Sequence, residues 1–168
     1  MDQSFQMEKE IDFMNVYIYS RMAMEKLLKK GVPQHTAIIS FYDPPGKKGT
    51  MARMPINYAG KAQNVFQVAL YDIDLVVLPK YNLTYETYFP EADVLAEFIF
   101  HAKEKQMEII CQCEYGESRS SGCVAAIMEY FYRRGIEIFT DYRYYPNQLV
   151  YHKVYDALDK YGHCRENR

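Results

Sequence analysis

The stretch Glu108-Ile109-Ile110-Cys111-Gln112-Cys113-Glu114-Tyr115-Gly116-Glu117-Ser118-Arg119-Ser120 decides the fold. Glu108 to Gln112 reads as a buried strand. From Arg119 to Arg134 the apolar residues Val124, Ile127, Met128 and Phe131 recur at helical spacing, with Gly135 as the expected stop signal. What joins them is a short loop. A loop that closes a strand and opens a helix turns its backbone N–H groups inward at the positive end of the helix dipole, forming a concave site for an anion. Gly116 supplies the unusual backbone conformation such a loop needs, and Arg119 offers a planar fork to two phosphate oxygens. The candidate phosphate-binding groups are the amides of Glu114, Tyr115, Gly116, Glu117 and Ser118, with the Arg119 side chain. Cys113 lies beneath the position phosphorus would take, where the same field favours a nucleophilic thiolate. A plain strand cysteine and an ordinary helix arginine are the competing reading. The strand before the loop and the helix after it favour the anion site.

The flanking sequence alternates in the same way. Asn15 to Tyr19 is a short strand, Ser20 an N-cap, and the helix that follows runs to Lys30 and stops at Gly31. Thr36 to Phe41 and Val65 to Tyr71 are further strands. Between them Asp43-Pro44-Pro45-Gly46 marks a turn, and the stretch to Gly60 has no periodicity, so it is either a functional loop or a surface excursion. Asp72 to Phe89 carries no clear assignment. Pro90 suits a first helical position, after which Ala92, Leu95, Ala96, Ile99 and Ala102 share one face as far as about Lys105. Val150, Val154, Leu158 and Tyr161 define a last helix. Strands alternating with helices predict a single α/β domain, residues 1–168, with a small, mostly parallel sheet flanked by helices and its ligand site at the carboxyl ends of the strands.

Composition narrows the function classes. At 168 residues and 49% hydrophobic the chain can bury one substantial core. A formal net charge of −2 with both signs dispersed gives no basic face for nucleic acid. Long apolar runs are missing, and Asp2, Glu8, Lys9, Glu10 and Asp12 interrupt the start, so a cytoplasmic protein without a membrane partner is expected. Four cysteines make no disulfide framework here, and a reactive thiol suits a reducing compartment. His35, His101, His152 and His163 lack metal-ligand spacing with the cysteines. Cys111 and Cys113 are awkwardly placed to bridge, and Cys111, Cys123 and Cys164 read as plain thiols, with Cys123 close enough in sequence to act as a resolving thiol. Among seventeen tyrosines, Tyr142, Tyr144 and Tyr145 either line a pocket for a phosphorylated ring or serve packing.

The loop resembles the signature of the cysteine-dependent protein tyrosine and dual-specificity phosphatases, in which Cys is followed after five residues by Arg and then Ser or Thr. It is most similar to their compact bacterial and phage members, whose loop commonly reads Cys-Glu-x-Gly-x-Ser-Arg-Ser and whose last helix opens with Pro-Asn-x-Leu-Val. Here that segment is Pro146-Asn147-Gln148-Leu149-Val150. Looser matches around Ser40 to Pro44 and Tyr71 to Asp74 extend the resemblance from about Val16 to Leu158.

The resemblance implies a hydrolase that forms a phosphocysteine on Cys113, with Arg119 and the loop amides stabilising the transition state. Ser120 would bond the leaving sulfur, serve a free helix N–H, or do both. Neither metal nor cofactor is implied. The general acid of such enzymes is an upstream Asp, for which Asp72 is the first candidate and Asp74 the second, with Glu86 and Asp93 behind them. Gln112 replaces the His that many relatives carry before the cysteine. Glu114, Tyr115 and Glu117 disfavour highly charged substrates, which leaves phosphotyrosine protein or a small phosphate ester, with inorganic phosphate or sulfate as a loop ligand. A catalytically silent phosphate-binding module is the alternative, and a sulfurtransferase or arsenate-handling thiol enzyme a third reading.

Overall fold

Residues 16–20, 36–42, 64–69 and 108–113 are extended, β-branched and aromatic side chains being most frequent in the first two, and they pair into one sheet in a computed structural model that describes residues 13–46 and 53–167. The charged N-terminal residues Asp2 to Asp12 and the middle of the loop after Gly46 lie outside the described residues. The strands are β1 (Val16–Ser20), β2 (Thr36–Tyr42), β3 (Asn64–Ala69) and β4 (Glu108–Cys113), in the spatial order β1-β4-β2-β3. Every neighbouring pair is parallel, with Ser20 opposite Cys113 and Ser40 opposite Gln112. Parallel pairing demands crossovers, and it brings the carboxyl ends of all four strands to one edge.

The helices are α1 (Arg21–Lys30), α2 (Tyr85–Tyr88), α3 (Ala92–Glu104), α4 (Arg119–Tyr132), α5 (Ile136–Phe139) and α6 (Gln148–Glu166); α1 lies in the crossover from β1 to β2 and α2 and α3 in that from β3 to β4, while α4, α5 and α6 follow the last strand. Alternation along the strands sorts the core into two faces. Ile39, Phe41, Ile109 and Cys111 pack with Leu95 and Ile99 of α3, Val124 and Ile127 of α4, and Val150, Val154 and Leu158 of α6. Ile38 and Ile110 point the other way, against Met24 of α1, Ile56 and Tyr58. Among the described residues no helix is long and apolar enough to cross a membrane.

Ser20 caps α1 by accepting from the Ala23 N–H, and Gly31 at φ 102° closes it, as expected. The apolar face read for α3 is buried in full, although α3 begins at Ala92 with Glu91 as its N-cap, so Pro90 sits in the preceding turn. Two further departures stand out. The segment without an assignment contains a 3₁₀ turn, Leu75–Tyr81, that holds Pro79, followed by α2, whose cap is a reciprocal Thr84 and Thr87 pair. The stop of α4 is Arg133 in the left-handed region (φ 57°), and Gly135 instead opens α5, where a Cβ would lie 2.7 Å from the Ala125 carbonyl oxygen. Tyr161 is only partly buried.

Candidate functional site

The loop between β4 and α4 is held by contacts that face outward. Arg21 N–H donates to the Glu114 carbonyl (3.0 Å), Tyr145 N–H to Glu117 (2.9 Å), and Asn147 N–H to Ser118 (3.0 Å). Each of these carbonyls belongs to a trans peptide, whose C=O and following N–H point in opposite directions, so the amides of Tyr115, Ser118 and Arg119 turn toward the loop's concave side. Gly116 takes φ 70° and packs on the β1–α1 junction. At the base of the loop Cys113 is 2% exposed, and its Sγ lies 3.1 Å from the hydroxyl of the fully buried Ser120.

Arg119 is buried with its charge. Its Nη1 donates to the Leu70 carbonyl at 2.7 Å and pairs with Asp43 Oδ1 at 2.8 Å. Its Nε is buried with no hydrogen-bond partner among the described residues, an unmet demand that an anion's oxygen would satisfy.

Asp72 is drawn to the loop from the segment after β3. Its Oδ1 accepts from Ser118 Oγ (2.6 Å) and from Asn147 Nδ2 (2.9 Å). Asn147 also donates to the Ile73 carbonyl, and its Oδ1 accepts from the Val150 N–H to cap α6. One side chain thereby joins the loop's neighbour Asp72 to a helix start. Asp74 is exposed at the head of the 3₁₀ turn and shares with Asp72, Ser118, Tyr145 and Asn147 a cavity of about 340 Å³. Tyr88 donates to the Tyr71 carbonyl at 2.6 Å, and burial, with Asp72 second, pushes its phenol up. Glu86 and Asp93 stand apart from this group: Glu86 is exposed on α2, and Asp93 pairs with Lys160. A larger cavity of about 690 Å³ opens at the amino ends of β2 and β3, lined by His35, Thr36 and Asn64, at the opposite end of the sheet.

The carboxylates of the loop differ. Glu114 is held by Arg21 at 3.7 Å and by Arg53, while Glu117 is exposed. Gln112 lies on the sheet face opposite Cys113, where its Oε1 accepts from Ser40 Oγ (2.6 Å) and Tyr58 OH (3.2 Å), so its amide braces the strand rather than reaching the thiol. Burial pushes Tyr58 up to about 12, which keeps that donor protonated. Cys111 and Cys123 are buried neighbours. Burial first, then the bond to Cys123, raises the Cys111 thiol well above its ordinary value, as for a plain core thiol. All four histidines are exposed, and no group of three or more His, Cys, Asp or Glu among the described residues could hold a metal ion.

No family model matches the chain, and no curated protein matches it. Solved structures do. The chain is similar to the crystal structure of PTPMT1 in complex with PI(5)P at 10% sequence identity, covering 92% of this chain and 96% of that one with a TM-score of 0.50. The human tyrosine phosphatase-like serine/threonine/tyrosine-interacting protein matches at 18% identity over 84% of this chain and 86% of its own, with a TM-score of 0.45. The chain has the tyrosine-phosphatase fold.

Within the phosphatase fold, the residues picked out along the sequence converge: Cys113, Arg119 and Ser120 meet at the loop, and Asp72 reaches it through Ser118. Tyr145 lines the adjoining cavity, whereas Tyr142 is 90% exposed. Along the sequence Asp43 reads only as part of a turn and of a loose match to the family, and Asn147 only as part of a motif. The signal for Asp43 was its place at the carboxyl end of a strand, and it needed the strand order to become a statement about Arg119.

Proposed function

We propose that this chain is a cysteine-dependent phosphate monoester hydrolase. The observation that carries the reading is the thiol of Cys113 set 3.1 Å from Ser120 Oγ, beneath a loop that ends on a buried guanidinium with an unpartnered Nε. In the first step the Cys113 thiolate attacks phosphorus, the S–P bond forms, and the ester P–O bond breaks as Asp72 gives its proton to the departing oxygen. In the second, water attacks the phosphocysteine, Asp72 takes a proton from that water, and the S–P bond breaks to release inorganic phosphate. The Ser120 hydroxyl donates to the sulfur as it leaves. Arg119 and the inward loop amides carry the charge on the equatorial oxygens through both steps. No metal or cofactor enters this sequence.

Phosphotyrosine on a protein is the proposed substrate. Asp72, Asp74 and Glu117 set carboxylates around the site, which opposes polyanions, and the exposed Tyr145 offers a ring beside the cavity. PI(5)P, the ligand of the PTPMT1 structure, is the comparison substrate and is expected to be hydrolysed more slowly. The reading treats residues 1–168 as one catalytic domain working in a reducing cytoplasm.

The test is hydrolysis of para-nitrophenyl phosphate by reduced protein across pH 5 to 8, beside Cys113→Ser and Asp72→Asn. Turnover that vanishes in Cys113→Ser supports the nucleophile. Asp72→Asn is expected to lose about 10²–10⁴-fold on phenyl phosphate, whose leaving group needs a proton, and far less on the nitrophenyl ester. Wild-type activity no higher than Cys113→Ser, with tungstate still raising Tm, would leave a phosphate-binding module instead.

A further inference from the structure

We propose that the cavity of about 690 Å³ at the amino ends of β2 and β3 is a second binding site, for a small heteroaromatic carboxylate. It stands independently of the phosphate loop, since the length of β2, Thr36–Tyr42, separates the two ends of the sheet, roughly 20 Å at strand rise. Its volume falls in the range, about 300–1,000 Å³, of pockets that enclose small organic molecules.

Two turns wall the cavity, and both are fixed. His35, the residue before β2, takes φ 60°, a conformation uncommon for a residue with a Cβ, and its carbonyl is held by the Glu108 N–H at 2.9 Å. The turn before β3 is closed by the N–H groups of Lys61 (3.0 Å) and Ala62 (3.1 Å), which donate to the Tyr58 carbonyl. A left-handed residue kept in place by the structure around it is a feature that gathers at binding sites. Thr36, between these turns, is 4% exposed, and its Oγ1 is buried with no hydrogen-bond partner among the described residues. A buried hydroxyl without a partner calls for an explanation, and a ligand atom in the adjoining cavity supplies one. Gln34, Gln63 and Asn64 add carboxamides to the lining, and none of them is bonded to another described side chain.

The character of the lining selects the ligand. Lys61 and His35 are its titratable side chains, and no carboxylate lines it among the described residues. Glu108, at the start of β4, is taken up by Asn15 (3.3 Å) and Tyr17 (3.4 Å). One lysine suits one negative charge and gives too little for a polyphosphate. Carboxamides that offer a donor and an acceptor side by side match the edge of a nitrogen heterocycle, and Val32, Pro33 and Met107 give it apolar surface to lie on. A flat heterocycle bearing one carboxylate meets these demands together, whereas inorganic phosphate would engage Lys61 and leave the rest of the wall unused.

The experiment records proton–nitrogen correlation spectra of the full-length protein during titration with orotate and nicotinate, each beside its uncharged counterpart, uracil and nicotinamide. Wild type, Thr36→Val and Lys61→Met are compared. At least one of the acids is expected to move the amide signals of His35, Thr36, Lys61 and Asn64 in a saturable way, while those of Tyr115 to Arg119 stay in place. The uncharged counterpart should bind about tenfold more weakly or worse, and each substitution should weaken the acid by a similar factor. Thr36→Val removes an unpaired hydroxyl at nearly constant shape, so its Tm is expected to hold or rise, which separates lost binding from a lost fold. Failure of both acids to move these signals at millimolar concentration overturns the proposal. Movement confined to Tyr115 to Arg119 also overturns it, by placing the acids in the phosphate loop. Equal affinity for acid and uncharged counterpart, or for wild type and Lys61→Met, does the same. A protein inactive on phosphate esters would leave this test intact.

Discussion

At Gly116 the backbone sits at φ 70°, and a Cβ there would lie 2.7 Å from the Ser20 nitrogen and 2.9 Å from the Tyr19 carbonyl carbon. Those atoms are backbone, fixed by β1 and by the N-terminus of α1, so neither can give way cheaply. Gly116→Ala is therefore expected to cost about 1–3 kcal/mol through strain and overpacking. At about 2–4 °C per kcal/mol for a chain of this size, the loss appears as a lower Tm in a thermal melt. The same variant should lose most of its tungstate-induced stabilisation, because relieving the contact moves the inward amides. A Tm drop with intact tungstate binding would show that the loop tolerates the shift.

Helix α6 begins beside the loop, and Asn147 is the joint between them. Its Oδ1 caps the helix at Val150, its Nδ2 reaches Asp72 and the Ile73 carbonyl, and its backbone N–H holds Ser118. Gly122 of α4 lies against it so closely that a Cβ would come within 2.5 Å of the Asn147 carbonyl oxygen. Cap and anchor are separable by substitution. Asn147→Ala loses both and is expected to cost about 0.5–2 kcal/mol from the cap alone. Asn147→Asp keeps an acceptor suited to a helix N-terminus but has no side-chain N–H to give, and it sets a carboxylate against Asp72. Thermal melts should therefore rank Asp above Ala, while phenyl phosphate hydrolysis should be slow in both. Wild-type hydrolysis by Asn147→Asp would show that Asp72 does not depend on this joint.

At the scale of the whole molecule, a few buried or partly buried tyrosines give its stability an alkaline edge. Burial pushes Tyr58 up to about 12, and burial is also the first cause that raises Tyr85 and Tyr88, with the Asp156 carboxylate adding to the effect on Tyr85. In the unfolded chain these phenols ionise near pH 10. A folded pKa above the unfolded one means that the native state keeps a proton the unfolded state releases. Their contribution is thus fully present below about pH 10 and is lost as pH rises through the folded values, to about 12 for Tyr58. Urea midpoints are expected to hold level to about pH 10 and fall above it. Tyr58→Phe should start lower, since Gln112 loses a donor, and then decline less steeply. Parallel curves for the two proteins would exclude Tyr58 from the alkaline transition.

The elements that could be read from the chain are those whose signal is local. The apolar run in Glu108 to Gln112, the helical recurrence from Val124 to Phe131 and the buried stripe of α3 each report side chains turned from water, and each element is present. Leu75–Tyr81 and α2 were illegible because a short 3₁₀ turn containing Pro79 has no apolar period to display. Cys113, Arg119 and Ser120 were legible as a group because one loop spans them. Asp43 with Arg119, and Asp72 with Asn147 75 residues away, were not. By itself, the sequence determined the strand–loop–helix unit and the chemistry of its side chains, through interactions between near neighbours. Only the tertiary structure decided which distant carboxylates meet that unit, because the parallel order β1-β4-β2-β3 brings the ends of separate strands to one edge through crossovers whose pairing no local pattern encodes.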